Sequence, residues 1–334
     1  MSKAIFYTSN ADQIDKIYTD AHRETIRSMA ELSDRVYTKE DLLSAPERFA
    51  DVNFILSTWG LEALTEEEIR ACLPNLKAVF YAAGSVRFFA QPFMNCGVRV
   101  FSGWKANAVS VAEYVVAEIL LANKGFFRAA RVTSLKEHMA VREGRQGYPG
   151  NFDATVGIIS YGAVASQVAA RLKAYHLNTQ IYSWALTAPD VLRDGYPLVS
   201  LEELFETSDV VTNHLPNTDA TVGMIDYSLL SRMKPNATFI NSGRGQQVVE
   251  ADLIRVLRER PDVTAVLDVT YPEPPEKDNP LYEMKNCVLT PHIAGSIGKE
   301  VRRMGLYMAE ELQRFVNGEA PFCEVTAELL KTMA

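Results

Sequence analysis

Apolar residues fall into short runs separated by amphipathic stretches, and this rhythm occurs twice along the chain. In the first part, apolar runs predict strands over residues 4–7, 53–57, 78–81 and 98–101, bounded by polar or turn-forming residues. Between them, apolar positions at helical spacing predict helices over 11–29, 39–43 and 65–72. Such alternation implies a small parallel sheet. Residues 110–123 are apolar on nearly every face, which predicts a buried helix that joins domains or meets a second subunit. Glu113 and Glu118 interrupt this run, so it does not read as a membrane span. Residues 125–153 lack clear periodicity, end in Gly147-Tyr148-Pro149-Gly150, and read as an arm or linker.

From Thr155 the alternation resumes more strongly. Strands are predicted over 155–160, 179–184, 210–213, 238–241, 263–269 and 287–290, with helices over 201–206, 227–232 and 250–259. Six strands in this order suit a doubly wound nucleotide-binding sheet. A last helix over 299–316 sets Val301, Met304, Met308, Leu312 and Phe315 on one face and stops at Gly318. It is expected to cover the first sheet. The expected fold class is α/β in two domains: a Rossmann-type doubly wound parallel sheet over 105–297, and a smaller flavodoxin-like domain made of 1–104 together with 298–334.

Composition narrows the function classes. The chain has 334 residues, 47% apolar and 23% charged, which suits a globular protein large enough for two cores. A net charge of −8, with lysines and arginines scattered, argues against nucleic acid or an anionic membrane surface as partner. The opening Met1-Ser2-Lys3 leads into a brief apolar strand, too short for an export segment. Cys72, Cys96, Cys287 and Cys323 are far apart and form no C-x-x-C, so neither a metal site nor a disulfide framework is expected. A reducing cytoplasm is the location this implies.

The stretch Thr155 to Ala165 carries the first chemistry. An apolar strand ends in Ser160-Tyr161-Gly162-Ala163-Val164-Ala165 and a helix follows. A helix N-terminus at such a turn offers free N–H groups to a pyrophosphate. Ser160, Gly162 and Ala165 occupy the three positions of a G-x-G-x-x-G/A fingerprint, and an ordinary strand-to-helix turn gives a similar pattern. Three further polar groups fall just after predicted strands: Arg244 in Asn241-Ser242-Gly243-Arg244-Gly245, Glu273 after Asp268-Val269, and His292 in Thr290-Pro291-His292-Ile293-Ala294-Gly295. An arginine fork suits a carboxylate, a histidine passes protons near neutral pH, and a carboxylate beside it tunes it. Together they suit reduction of a 2-oxo acid. Singly, each is equally a structural hydrogen-bonder or a surface turn.

Taken together these motifs resemble the D-isomer-specific 2-hydroxyacid dehydrogenase family over nearly the whole chain. The similarity rests on 239–245, on Leu267-Asp268-Val269 with Glu273-Pro274, and on 289–295. It extends to His214-Leu215-Pro216-Asn217-Thr218 with Thr221, and to Asn107-Ala108 leading into Val111-Ala112-Glu113. The resemblance implies an enzyme that moves a hydride between NAD(H) and the C2 of a small D-2-hydroxy or 2-oxo acid. It implies Arg244, Glu273 and His292 as catalytic residues, with Arg244 also holding the substrate. Gly162, Ala163, Val164, Ser183, Leu215, Pro216, Thr221, Ser242, Gly243, Asp268 and Gly295 become cofactor residues, Asp268 holding the cofactor amide. In the first domain, Gly84 and Ser85 lie in the loop that would grip the substrate carboxylate. A homodimer with the catalytic cleft between domains is also implied, and no metal.

Three positions depart from the family pattern. Ser160 stands at the first fingerprint glycine. Ser183 stands where an aspartate usually meets the ribose hydroxyls; NAD is the expected cofactor, and NADP stays admissible because the carboxylate that repels a 2′-phosphate is gone. Arg87 follows the Gly84-Ser85 loop, where it would meet a second acidic group on the substrate or simply face solvent. Trp59, Phe88 and Trp104 are candidates for the acyl pocket or for the core. The alternative function is an NAD(H)-binding regulator of the co-repressor type. A formate-type enzyme is disfavoured because that branch resembles this one with glutamine in place of Glu273.

Overall fold

The structure is a computed structural model that describes residues 1–183 and 194–332. The chain divides into two compact units, Met1–Asn107 with Ser296–Ala334, and Ala108–Gly295. The division falls inside the helix Trp104–Ala122, which starts earlier than the apolar run suggests. Asn107 belongs with the first unit because its Oδ1 accepts from Ser296 N–H at 2.8 Å, tying the end of one segment to the start of the other.

The first unit holds a parallel five-stranded sheet built from β1 (Ser2–Tyr7), β2 (Ala30–Tyr37), β3 (Val52–Ser57), β4 (Ala78–Tyr81) and β5 (Arg99–Ser102). Their order is β2-β1-β3-β4-β5. Successive residues alternate between faces: Ile5, Tyr7, Ile55, Val79 and Val100 enter one core, while Ala4, Phe6, Phe54, Leu56 and Phe80 enter the other. The second core is closed by Met304, Met308 and Leu312 from the helix Val301–Asn317, each fully buried. Burying such a side chain is worth about 1.5–3 kcal/mol. Gly305 lets this helix come close, because a Cβ there would overlap the Ile17 carbonyl oxygen. Gly318 ends the helix at φ +70°, a left-handed cap that suits glycine.

Three expectations are corrected here. The helix expected over 11–29 is two helices, Ala11–Ile17 and Asp20–Arg27. Thr19 starts the second by accepting from His22 N–H, so a capping signal overrides the continuous periodicity. β2 was not foreseen because Ala30-Glu31-Leu32-Ser33-Asp34-Arg35-Val36-Tyr37 is an edge strand with few buried positions. Residues 125–153 are more ordered than a linker: they form the helices Phe126–Ala129 and Leu135–Gly144 and the start of the next strand. Neither helix buries a residue, so no amphipathic stripe marks it in the sequence.

The second unit holds β6 (Phe152–Ile159), β7 (His176–Tyr182), β8 (Val210–Asn213), β9 (Thr238–Asn241), β10 (Thr264–Leu267) and β11 (Cys287–Leu289). All pair in parallel, in the order β11-β10-β9-β8-β6-β7. The chain runs outward from β6 in both directions, so the crevice of this doubly wound sheet lies at the carboxyl ends of β6 and β8. Trp184, at the end of one expected strand, lies outside the described residues. Among those described, no helix is long and apolar enough to cross a membrane. All four cysteines are free thiols.

Candidate active site

The turn after β6 keeps its shape without the first glycine. Ser160 adopts φ +75°, the left-handed region usually left to glycine, while its N–H donates to Tyr182 O at 2.7 Å. Gly162 then starts the helix Ala163–Leu172, which no side chain caps. Nothing lies within 4 Å of where a Gly162 Cβ would stand. The first-turn N–H groups have no capping side chain among the described residues, as suits an anion site. Ser183 follows β7 directly and is half-buried.

At the end of β9 a buried polar network sets the loop that carries Arg244. Asn213 and Gln247 are fully buried and Asn241 nearly so. Asn213 Nδ2 donates to Asn241 Oδ1 at 3.0 Å and to Gln247 Oε1 at 2.6 Å. Gln247 Nε2 donates to the carbonyls of Leu215 (2.7 Å) and Pro216 (3.0 Å), while its Oε1 accepts from Arg244 N–H at 3.1 Å. Asn241 accepts from Gly243 N–H at 3.1 Å and donates to Arg244 O at 3.2 Å. One network thus fixes the backbone of both the 215–216 loop and Arg244. Thr221 pins the same loop by donating to Pro216 O at 2.6 Å. The Arg244 guanidinium donates to Gly243 O at 2.8 Å. Burial lowers its proton affinity, and the charge of Glu273 opposes that. The Ser242 hydroxyl oxygen is buried and has no hydrogen-bond partner among the described residues.

The loop after β10 meets this arginine loop at Gly245. A Cβ at 245 would overlap the backbone of Thr270, so only glycine permits the approach. Further along, Glu273 Oε1 lies 2.6 Å from His292 Nδ1. A carboxylate only accepts, so Nδ1 carries the proton and Nε2 is the free position of the ring. His292 itself has φ +54°, a strained turn that aims its side chain. Asp268 holds that turn: its carboxylate accepts from Thr290 Oγ1 (2.6 Å), Ile293 N–H (2.8 Å) and Ala294 N–H (2.8 Å). Thr290 Oγ1 in turn contacts Tyr114 OH at 3.1 Å. Glu273 and His292 line a cavity of about 600 Å³ together with Pro275, Tyr282, Leu289 and Arg131. The other histidine of the motifs, His214, contacts Thr212 Oγ1 at 3.0 Å. Although part of it reaches the surface, desolvation pushes its imidazole down to about 3, which disqualifies it as an acid.

The second unit therefore gathers Leu215, Pro216, Thr221, Ser242, Gly243, Arg244, Asp268, Glu273, His292 and Gly295 at or beyond the carboxyl ends of β8 to β11, with Gly162, Ala163 and Val164 after β6. Gly84, Ser85 and Arg87 belong to the first unit, in the loop after β4. Ser102 steadies that loop by donating to the carbonyls of Ala83 (2.8 Å) and Gly84 (2.6 Å). Arg87 and Phe88 are exposed there. Asn213, Gln247, Thr290 and Tyr114 were not foreseen. Asn213 and Tyr114 are polar groups in otherwise apolar elements, as in Val210-Val211-Thr212-Asn213, whereas Gln247 and Thr290 lie in turns where polarity is no signal.

A parallel doubly wound sheet with an uncapped helix N-terminus at its switch point defines a dinucleotide-binding α/β protein. A family model described as D-isomer specific 2-hydroxyacid dehydrogenase, NAD binding domain, matches residues 116–294, and the chain belongs to this family. It is 33% identical over 222 residues to a D-3-phosphoglycerate dehydrogenase of Archaeoglobus fulgidus, covering 66% of this chain and 42% of that protein. It is 30% identical over 297 residues to a glyoxylate reductase of Korarchaeum cryptofilum, covering 85% and 86%. The crystal structure of Rhodotorula graminis D-mandelate dehydrogenase superposes with a TM-score of 0.80 at 20% identity, covering 98% of each chain. The chain spans about half the length of the phosphoglycerate dehydrogenases it matches.

Proposed function

We propose that this protein is an oxidoreductase that moves a hydride between NAD(H) and the C2 of a small D-2-hydroxy acid or 2-oxo acid. The observation that carries this is the Glu273–His292 pair, 2.6 Å apart, joining the loops after β10 and β11 of an NAD-binding unit that also holds Arg244. The buried, unpartnered Ser242 hydroxyl and the open, uncapped helix start at Gly162 both fit the cofactor. When bound, NAD(H) supplies or accepts the hydride.

Gly162, Ala163 and Val164 would present N–H groups to the pyrophosphate, and Ser183 would meet the ribose. Leu215, Pro216 and Thr221 form the adjoining wall, while Ser242, Gly243, Asp268 and Gly295 line the nicotinamide end. Arg244 would hold the substrate carboxylate and carbonyl oxygen as a two-pronged donor. His292 Nε2 would give its proton to the carbonyl oxygen in reduction and recover it in oxidation, with Glu273 fixing the ring. The first unit is assigned to the substrate, its 82–85 loop offering N–H groups to a carboxylate and Arg87 an extra cation. A homodimer in a reducing cytoplasm is part of this proposal, supported by the four free thiols and by exposed Leu135, Met139 and Phe152.

The test is calorimetric titration with NADH and NADPH separately, followed by a panel of 2-oxo acids. NADH is expected to bind preferentially, and His292→Ala is expected to abolish turnover while NADH still binds. Failure to bind either dinucleotide overturns the proposal. Full activity in His292→Ala overturns the acid–base assignment.

A further inference from the structure

The turns that follow β3 and β4 in the first unit are built together. Thr58 is fully buried and donates from Oγ1 to Ala82 O at 3.1 Å, while Ala82 N–H donates to Ser57 O at 2.8 Å. Trp59, the next residue after Thr58, is thereby held beside the 82–85 loop. Its backbone is pinned: Trp59 O accepts from Thr8 Oγ1 at 3.1 Å, and Gly60 O accepts from Ser9 N–H at 2.9 Å. Gly60 has φ +92°, and a Cβ there would stand 2.8 Å from Thr8 Oγ1, so this turn requires glycine. The indole it carries is nonetheless 38% exposed. At the far end of the 82–85 loop Phe88 is 54% exposed, its ring packed edge-on against Phe89 at 4.9 Å and Tyr81 at 6.3 Å. Phe89 is fully buried and anchors that end.

We propose that the first unit selects a 2-oxo acid or D-2-hydroxy acid whose C2 substituent carries an aromatic ring, with Trp59 and Phe88 as the specificity-determining residues. A single exposed apolar side chain needs no explanation, but two large rings flanking one polar loop, both on fixed backbone, mark a surface that a ligand covers. The loop between them supplies the chemistry of that ligand. Its N–H groups take the carboxylate, so the rest of the molecule meets the rings on either side. Another ring suits them best, because it extends the edge-to-face packing that Phe88 already makes with Tyr81 and Phe89. A hydrogen or a hydroxymethyl group on C2 would leave both rings in water. A phosphate would meet apolar surface, with the exposed Arg87 as the cation beside it, and this opposing reading is separated by the experiment.

This inference rests on the dehydrogenase reading above, so the test includes a binding arm that needs no turnover. NADH cannot reduce a hydroxy acid, so calorimetric titrations are run with and without NADH. D-Phenyllactate should bind at least about ten-fold more tightly than D-lactate or D-glycerate. It should also change the tryptophan fluorescence, a change lost in Trp59→Phe although binding persists. In steady-state reduction, kcat/KM for phenylpyruvate should exceed that for glyoxylate by about 100-fold, and should also exceed that for hydroxypyruvate, phosphohydroxypyruvate and 2-oxoisocaproate. Trp59→Ala and Phe88→Ala should each cut the phenylpyruvate-to-glyoxylate ratio about ten-fold or more, chiefly through KM, while Trp59→Phe keeps most of it. Turnover that favours glyoxylate, hydroxypyruvate or the branched aliphatic acid overturns the proposal and leaves the dehydrogenase reading standing. A preference for phosphohydroxypyruvate that Arg87→Ala removes overturns it in favour of an anionic substituent. A ratio unmoved in both alanine variants overturns the roles of Trp59 and Phe88. Selective binding of phenyllactate with the fluorescence change, but no turnover of any acid, upholds the aromatic site and sinks the dehydrogenase reading alone.

Discussion

Gly245 packs against the Thr270 peptide so closely that any side chain at 245 would overlap it and stand 2.5 Å from the Tyr271 nitrogen. The loop carrying Arg244 and the loop carrying Glu273 are thereby held at backbone contact. Gly245→Ala should push them apart by a fraction of an ångström or more. Displacements of that order cost about 100-fold in rate when a reacting group is carried along. Steady-state kinetics should show such a fall in kcat/KM, with NADH affinity changed only a few-fold. A variant with unimpaired turnover would show that the two loops act independently.

The Asn213–Gln247 hydrogen bond, 2.6 Å and fully buried, makes a second prediction. Gln247→Leu leaves one Asn213 amide proton and the Arg244 N–H without that acceptor, each such group costing about 1–3 kcal/mol. Asn213→Leu should be comparably harmful. The double variant, with apolar groups on both sides, should be less destabilised than the sum of the singles. Denaturant titration of the four proteins measures this coupling. Strict additivity would mean the network is not a unit.

Ser160 holds φ +75° with an ordinary side chain, a strain of about 1 kcal/mol. Ser160→Gly relieves it and partly offsets the gain through a more flexible unfolded chain. The expected result is a small rise in melting temperature with NADH affinity unchanged within a few-fold. A large gain in affinity would show instead that the serine side chain obstructs the phosphate site.

Glu118, buried in the helix Trp104–Ala122, bears on stability. The folded protein holds its proton more tightly than the unfolded chain does, because burial raises its carboxyl to about 8. Stability from this group is therefore complete at low pH and lost as pH rises from the ordinary carboxyl range, at up to about 1.4 kcal/mol per pH unit. Urea titrations across this range should slope downward in the natural protein and flatten in Glu118→Gln. Parallel slopes would place the proton elsewhere.

The parallel sheets were legible because their strands are buried on both faces and appear as apolar runs, as in Val210–Asn213 and Thr238–Asn241. β2 was not, since an edge strand with Glu31, Asp34 and Arg35 lacks that signal. Arg244, Glu273 and His292 stood out by type and spacing; their supports did not. Asn213, Gln247 and Thr290 are short polar residues whose meaning depends on which strand lies beside which, and no local pattern records that. Glu118 was visible as an interruption in an apolar helix, but the Asp268 charge that acts on it, just past β10, lies far along the chain.

The division of the chain also sets an order of assembly. The second unit is one uninterrupted segment, Ala108–Gly295, and every strand of its sheet has been synthesised before Ser296 is made. The first unit begins earlier and finishes last, since Phe6, Phe54 and Phe80 stay uncovered until Met304, Met308 and Leu312 arrive. The first sheet thus waits, with one greasy face open, through the synthesis of the whole second unit. During that interval it is a natural client for a chaperone, and a ribosome stalled before residue 301 would leave it permanently unfinished.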